Sequence, residues 1–316
     1  MKVHRLFISA IIFCTAVSFG VGLRQSARER RAPKTMPSKS SIEEKMQSVN
    51  LLLYTRNNID TPLLLNPDDT STLQAVDVQK ETIFLIHGWL CNRTTFMAVK
   101  NAYLKSRDAN AVIVEWDRLA AGMFTKSRKD VEVVGSHLAQ LADALIGAGQ
   151  DPARLHIVGH SLGGHMAGIA ASKVTKGTVG RVTALDAAGP SYTTPGMEDK
   201  VDSTDAAFVQ LIHTNVGGLG IRKALGHVDF YVNGGKSQPG CSTSDMGICS
   251  HMRAVDIYEQ SVTDGKSFPA RECTTWKTFS SGKCDENPIA YMGESCSNST
   301  RGIYFLKTSS LPPYTA

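Results

Sequence analysis

Apolar residues along this chain fall into short blocks separated by polar, glycine-rich connections. Seven blocks read as strands, at residues 49–55, 82–87, 111–116, 155–159, 181–185, 207–214 and 228–232. Uninterrupted runs such as Ile83-Phe84-Leu85-Ile86 suit strands covered on both faces. A helical stripe lies between two of the blocks. Val131, Val134, Leu138, Leu141 and Leu145 recur at spacings of 3, 4, 3 and 4, and Gly147 and Gly149 end the pattern. Strands alternating with amphipathic helices predict an α/β fold, an open and mostly parallel sheet with helices on both faces. No internal repeat or low-complexity tract interrupts it. From about residue 241 to 284 the composition shifts to Gly, Ser, Thr and Cys, which predicts stapled loops around one helix at 251–262 and no second domain.

The chain has 316 residues, 42% of them apolar and 20% charged, enough for one α/β domain of ordinary size. Its formal charge of +5 would suggest a polyanionic partner, but the excess is local. Residues 1–31 hold Lys2, Arg5, Arg24, Arg28, Arg30 and Arg31 against Glu29 alone, and the remaining 28 basic and 28 acidic residues cancel. A nucleic-acid partner is therefore not expected. The same segment reads as an export signal. Lys2 and Arg5 precede a mostly apolar run at 6–21, and Gly20-Val21-Gly22 offers a cleavage site, giving a signal peptide at 1–22. Arg28-Glu29-Arg30-Arg31 reads as a dibasic processing site closing a basic propeptide at 23–31, which leaves 32–316 as the mature, secreted domain. No later run approaches the ~18 apolar residues of a membrane span.

Cysteine usage agrees with export. Once Cys14 leaves with the signal, six remain, an even number that suggests three disulfides. Cys241/Cys249 and Cys273/Cys284 are close enough in sequence to staple local loops, which leaves Cys91/Cys296 as the third pair by default. Asn92-Arg93-Thr94 and Asn298-Ser299-Thr300 are glycosylation acceptors. No cysteine or histidine spacing of a zinc site occurs, and neither metal nor cofactor is expected.

The strongest chemical signal is the strand 155–159 running into Gly159-His160-Ser161-Leu162-Gly163 and then into small residues Ala167, Gly168, Ala170 and Ala171. A strand that turns sharply into a helix holds its serine in a strained conformation, so only small residues fit two positions either side. The hydroxyl then stands at a helix N-terminus, where the Leu162 amide can meet a developing oxyanion. A serine hydroxyl attacks esters only if an imidazole takes its proton and a carboxylate orients that imidazole. Asp186 ends the next strand, before Ala187-Ala188-Gly189-Pro190, where an α/β-hydrolase fold presents its acid; Asp205 and Asp229 are fallbacks. Among nine histidines, His4 leaves with the signal, and His137 and His156 sit on element bodies. His160 and His165 flank the serine as packing, His87 ends a strand, and His213 and His227 belong to apolar strand segments. His251 follows both Ser161 and Asp186 and opens a helix from a loop, so it is the expected base.

These residues, with Ile86-His87-Gly88-Trp89, Val209-Gln210-Leu211-Ile212-His213-Thr214, Gly226-His227-Val228-Asp229-Phe230-Tyr231 and Cys249-Ser250-His251-Met252-Arg253, form six ordered motifs. Together they resemble the pancreatic-type lipase family, and within it the insect phospholipase A1-like branch that includes wasp venom allergens. The resemblance runs from about residue 49 to 307 and implies an α/β-hydrolase fold. It implies Ser161, Asp186 and His251 as the triad and the amides of Trp89 and Leu162 as the oxyanion hole. It also implies a lid between Cys241 and Cys249, with Met246, Ile248, Leu219 and Ile221 at the substrate rim.

Only seven residues lie between those two cysteines, and the loop at 215–226 is likewise brief. So short a span covers little, and an open rim suits an ester whose bulky polar head stays outside. The expected activity is therefore phospholipase A1, releasing the sn-1 fatty acid at a membrane or micelle surface. A triglyceride or galactolipid lipase is the alternative, and an inert yolk-type lipid binder the more distant one. Ala187 replaces the proline that usually follows the acid. The resemblance together with the residues after Tyr304 leads us to expect no C-terminal β-sandwich domain of the family, hence no colipase dependence, and a monomer. Asp202 and Asp205 resemble part of a calcium site, but Met197 stands where another acid would be.

Overall fold

The computed structural model describes residues 39–192 and 200–315. The expected signal peptide 1–22, the basic propeptide 23–31 and Met197 lie outside the described residues. Seven apolar blocks become strands close to the expected limits: β1 (Asn50–Tyr54), then β3 (Thr82–Ile86), β4 (Asn110–Glu115), β5 (Leu155–His160), β6 (Arg181–Leu185), β7 (Phe208–His213) and β8 (Val228–Val232). Four more were not foreseen, β2 (Leu63–Leu65), β9 (Pro269–Glu272), β10 (Ile289–Tyr291) and β11 (Gly302–Leu306). All eleven form one sheet in the order β10-β9-β11-β8-β7-β6-β5-β3-β4-β1-β2. Pairing is parallel from β4 through to β11 and antiparallel at both margins.

Covering both faces explains the unbroken hydrophobic runs. Along β3, Phe84 and Ile86 enter one core with the helices Phe124–Gly147 and Leu162–Ser172, while Ile83 and Leu85 enter another with Met97–Ser106 and Ile248–Thr263. The five stripe residues from Val131 to Leu145 are all at most 1% exposed, and Gly149 leaves the helix at φ 107°. The region expected to be loops around one helix also holds β9 and a short helix, Trp276–Ser280, which add an antiparallel margin to the sheet.

Two expected disulfides are present, Cys241–Cys249 and Cys273–Cys284, with Cα separations of 5.5 and 5.8 Å. The expected third pair is corrected: Cys91 and Cys296 are buried and not bonded to each other. Cys91 lies past the C-terminal end of β3, whereas Cys296 follows Glu294, which is held by Arg181 at the start of β6. A five-residue parallel strand is ~17 Å long, far beyond the reach of a disulfide. Because the central strands run the same way, the connections leaving β3, β5, β6, β7 and β8 all emerge at one end of the sheet.

Candidate active site

Ser161 occupies the turn between β5 and the helix Leu162–Ser172 at φ 58°, ψ −120°, a region that costs a non-glycine residue energy. Its neighbours show why the turn demands glycine. A Cβ on Gly159 would stand 1.9 Å from the Gly163 carbonyl oxygen, and one on Gly163 would stand 2.3 Å from that of Ile86. The Ser161 amide donates to Leu185 O at 3.1 Å, which ties the elbow to the strand that carries the acid.

Asp186 follows β6 at φ 42° and is 1% exposed. Its Oδ1 accepts the amides of Thr214 at 2.8 Å and Asn215 at 3.0 Å, and its Oδ2 lies 2.5 Å from Nδ1 of His251. A carboxylate only accepts, so Nδ1 carries the proton and Nε2 keeps its lone pair. His251 sits in the first turn of Ile248–Thr263, anchored by its amide to Gly247 O at 2.9 Å and by the disulfide at Cys249, two residues earlier. The structure thus joins Asp186 to His251 and sets both beside the elbow. No hydrogen bond joins the Ser161 hydroxyl to His251 among the described residues; in unliganded sites this contact commonly closes only with substrate.

The two expected oxyanion donors belong to neighbouring turns, Trp89 to the one after β3 and Leu162 to the one after β5. Among the described residues neither the Trp89 nor the Leu162 amide donates to another backbone group. Trp89 is fixed by its own indole, whose Nε1 donates to Gly122 O at 2.7 Å, and its ring meets Phe124 edge-on at 5.4 Å. His87 braces the same loop from beneath: its Nε2 accepts the Trp116 amide at 3.3 Å, so Nδ1 donates to Gly88 O at 3.0 Å. Burial lowers the His87 basicity to about 4, with only part restored by the Gly88 carbonyl, so it remains a neutral brace.

Residues 15–314 match the profile of the family described as Lipase. The chain belongs to the lipase family. Lipase member H of Danio rerio is 33% identical over 291 residues, covering 89% of this chain and 63% of that protein. Phospholipase A1 member A of Rattus norvegicus is 34% identical over 271 residues, covering 80% and 58%. Inactive pancreatic lipase-related protein 1 of Homo sapiens is 34% identical over 262 residues, covering 74% and 55%. The chain therefore spans between half and two thirds of the length of these relatives.

Around the site of this lipase-family chain, the loop expected to form the lid is pinned at both ends and Met246 within it is 67% exposed, with Ile248 half-buried at the helix start. In the facing loop Leu219 is half-buried. Ile221 is corrected from rim to core: it is 1% exposed, its amide bonds Ala187 O at 2.8 Å and its carbonyl meets the His213 ring at 3.1 Å. Residues the sequence did not single out complete the acid's seat. Gly220 lies so close that a Cβ there would stand 2.4 Å from Asp186 Oδ1, and Asn215 Oδ1 accepts the Leu219 amide at 2.8 Å.

The fallback acids are engaged elsewhere. Asp229 meets His213 Nε2 at 2.8 Å and accepts the Leu225 and Gly226 amides at 3.2 and 3.0 Å. Asp205 Oδ2 accepts the Asp202 amide at 2.8 Å, and Asp202 Oδ1 accepts from Thr204, so both carboxylates are used within their own turn. Glu81, His156 and Glu294 come close enough to invite a metal, but at the far end of the sheet. There Arg107 bridges Glu81 Oε2 at 3.0 Å and Glu294 Oε1 at 2.9 Å, so a guanidinium already supplies the cation. Asn298 is exposed in its loop, while Asn92 caps a 3₁₀ turn by accepting the Thr94 amide at 2.9 Å.

Proposed function

We propose that this chain is a secreted serine carboxylester hydrolase acting on lipids, and specifically a phospholipase A1 that releases the sn-1 fatty acid. The observation that carries the proposal is the His251–Asp186 contact of 2.5 Å set against a strained serine elbow. His251 Nε2 takes the Ser161 proton as Oγ attacks the ester carbonyl, and Asp186 offsets the charge that forms on the imidazole. The Trp89 and Leu162 amides meet the oxyanion; one such donor is worth roughly 10²–10³ in rate in comparable sites. His251 then returns its proton to the departing alcohol, and a water deprotonated by the same nitrogen cleaves the acyl-enzyme.

Phospholipid is favoured over triglyceride by the seven-residue lid, too short to roof a cleft, and by similarity to proteins named Phospholipase A1 member A in Rattus norvegicus and Bos taurus, at 34% and 35% identity. Family membership does not by itself argue for turnover, since the human relative named as inactive is equally similar. The presence of Ser161, Asp186 and His251 together, with Asp186 bonded to His251, supports an active enzyme over an inert lipid binder. The test offers the protein phosphatidylcholine with different acyl chains at sn-1 and sn-2, and triolein in parallel. Release of the sn-1 acid, abolished in Ser161→Ala, is expected. Triolein cleavage without phospholipid cleavage would reassign the substrate, and failure to react with a serine-directed organophosphate would remove the mechanism.

A further inference from the structure

One buried histidine beside the site has no part in that mechanism. His160 ends β5 and is 1% exposed. Its Nε2 lies 3.1 Å from the main-chain carbonyl oxygen of His251, and the two rings pack with centroids 4.4 Å apart at 49°. A carbonyl oxygen only accepts, so Nε2 carries the proton and Nδ1 is bare. That bare nitrogen is buried without a hydrogen-bond partner, and a Cβ on Gly88 would stand 3.3 Å from it. The ring is wedged between the loop bearing Trp89 and the helix bearing His251.

Packing alone does not account for this choice of residue. A phenyl ring would fill the same space without leaving a desolvated, unpaired nitrogen. What an imidazole adds is the Nε2–H that holds the main-chain carbonyl of residue 251, while Asp186 holds its ring. We infer that His160 is a positioning residue for the base: its Nε2–H pins the His251 carbonyl, and its ring blocks rotation of the His251 imidazole away from Asp186 and Ser161. The inference rests on the esterase reading for its catalytic consequence. The ring does this as a neutral group. Burial, and then His251 beside it, hold its basicity well below the usual histidine range, with His87 adding to the same effect against the pull of the His251 carbonyl. No second cation therefore opposes the imidazolium that forms on His251 during attack.

The test compares three variants on a short soluble ester. His160→Phe keeps the ring and loses the donor. His160→Asn keeps an amide donor that stops one bond short of the carbonyl. His160→Gln carries an amide that reaches the position of Nε2. The expected result is a fall in kcat of roughly tenfold or more in Phe and Asn with KM within about twofold, and recovery of most of the rate in Gln. Wild-type kcat in Phe or Asn, or equal losses in all three, would overturn the inference. An activity-independent readout accompanies it, the downfield proton resonance of the His251 Nδ1–H bonded to Asp186. It should persist in wild type and Gln and broaden or vanish in Phe and Asn; an unchanged resonance in Phe and Asn overturns the positioning role. If wild type shows the resonance but cleaves no ester, the proposed activity fails while the positioning of His251 still stands or falls on the resonance.

Discussion

A Cβ built on Gly163 would stand 2.3 Å from the Ile86 carbonyl oxygen and 2.7 Å from that of His87, both main-chain atoms of the strand and loop beside the elbow. Neither can yield without moving β3, so Gly163→Ala should cost about 3 kcal/mol or more, or prevent folding. Gly122 makes the control, because its nearest neighbour would be 3.7 Å away and Gly122→Ala should leave the thermal midpoint near wild type. Differential scanning fluorimetry of the two variants checks both expectations. This steric demand is also why the elbow was legible in the sequence: the physics restricts residue type at fixed offsets from the serine. Histidines obey no such restriction. Chain order pointed to His251, but nothing in the sequence separates a base from a histidine that braces a loop through two ring nitrogens, as His87 does, or from one bonded to a neighbouring carbonyl, as His160 is. Ile221 was misplaced for a related reason, since an apolar residue in a short loop can face inward or outward without any change in local pattern.

At the scale of elements, the acid is held by one connection that the sequence presents as an ordinary loop. The amides opening the loop after β7 hold one carboxylate oxygen, and Gly220 of the same loop leaves the room in which the carboxylate sits. Gly220→Ala would place a methyl 2.4 Å from Oδ1 and 2.6 Å from Oδ2, evicting the carboxylate from its bond to His251. Loss of the triad acid costs roughly 10⁴ in kcat in well-studied hydrolases. A fall of at least ~10² is therefore expected here, with KM little changed because substrate does not touch Asp186. Steady-state kinetics on a soluble ester checks it; wild-type kcat would show that the carboxylate has another seat. The strands β1 and β3–β8 were readable because burial on one or both faces forces continuous apolar runs. β2, β9 and β10 were not, because they are three or four residues long and partly exposed, and β9 carries Pro269, Arg271 and Glu272 where polar side chains reach water, while β11, as long as β1, opens on the exposed Gly302.

Across the whole molecule, a second polar centre lies at the end of the sheet away from Ser161, and its members are spread from residue 81 to 294, a separation no local pattern reveals. Glu294 accepts the hydroxyls of Tyr103 at 2.5 Å and Tyr258 at 2.8 Å and pairs with Arg107, thereby joining the two helices that cover one face. Burial alone would raise its pKa, but the cationic side of the cluster, His156 when protonated with Arg181 and Arg107, overcomes burial and holds it at about 2. Burial keeps His156 at about 3 and His165 at about 4, as it does His87. Below pH 6.5 the unfolded chain therefore takes up protons that these folded histidines refuse, and below 4.5 the same holds for Glu294 until about pH 2, so stability falls with acidification through both windows. Asp205 works in the opposite direction. Burial raises it to about 6, so it adds stability below 3.8 that is lost as pH rises through 6, and one such group offsets only part of the total. The thermal midpoint should thus drop steadily from pH 7 to pH 4. Glu294→Gln should lower stability at pH 7 by about 3 kcal/mol, the worth of its shift from 4.5 to about 2, and flatten the acid limb below 4.5. Because this centre is separated from Ser161 by the length of the parallel strands, kcat of the folded variant at 25 °C should stay near wild type. A variant that kept the full acid limb would mean that the buried histidines alone drive acid unfolding, and a variant that lost kcat while folded would mean that the two ends of the sheet are coupled.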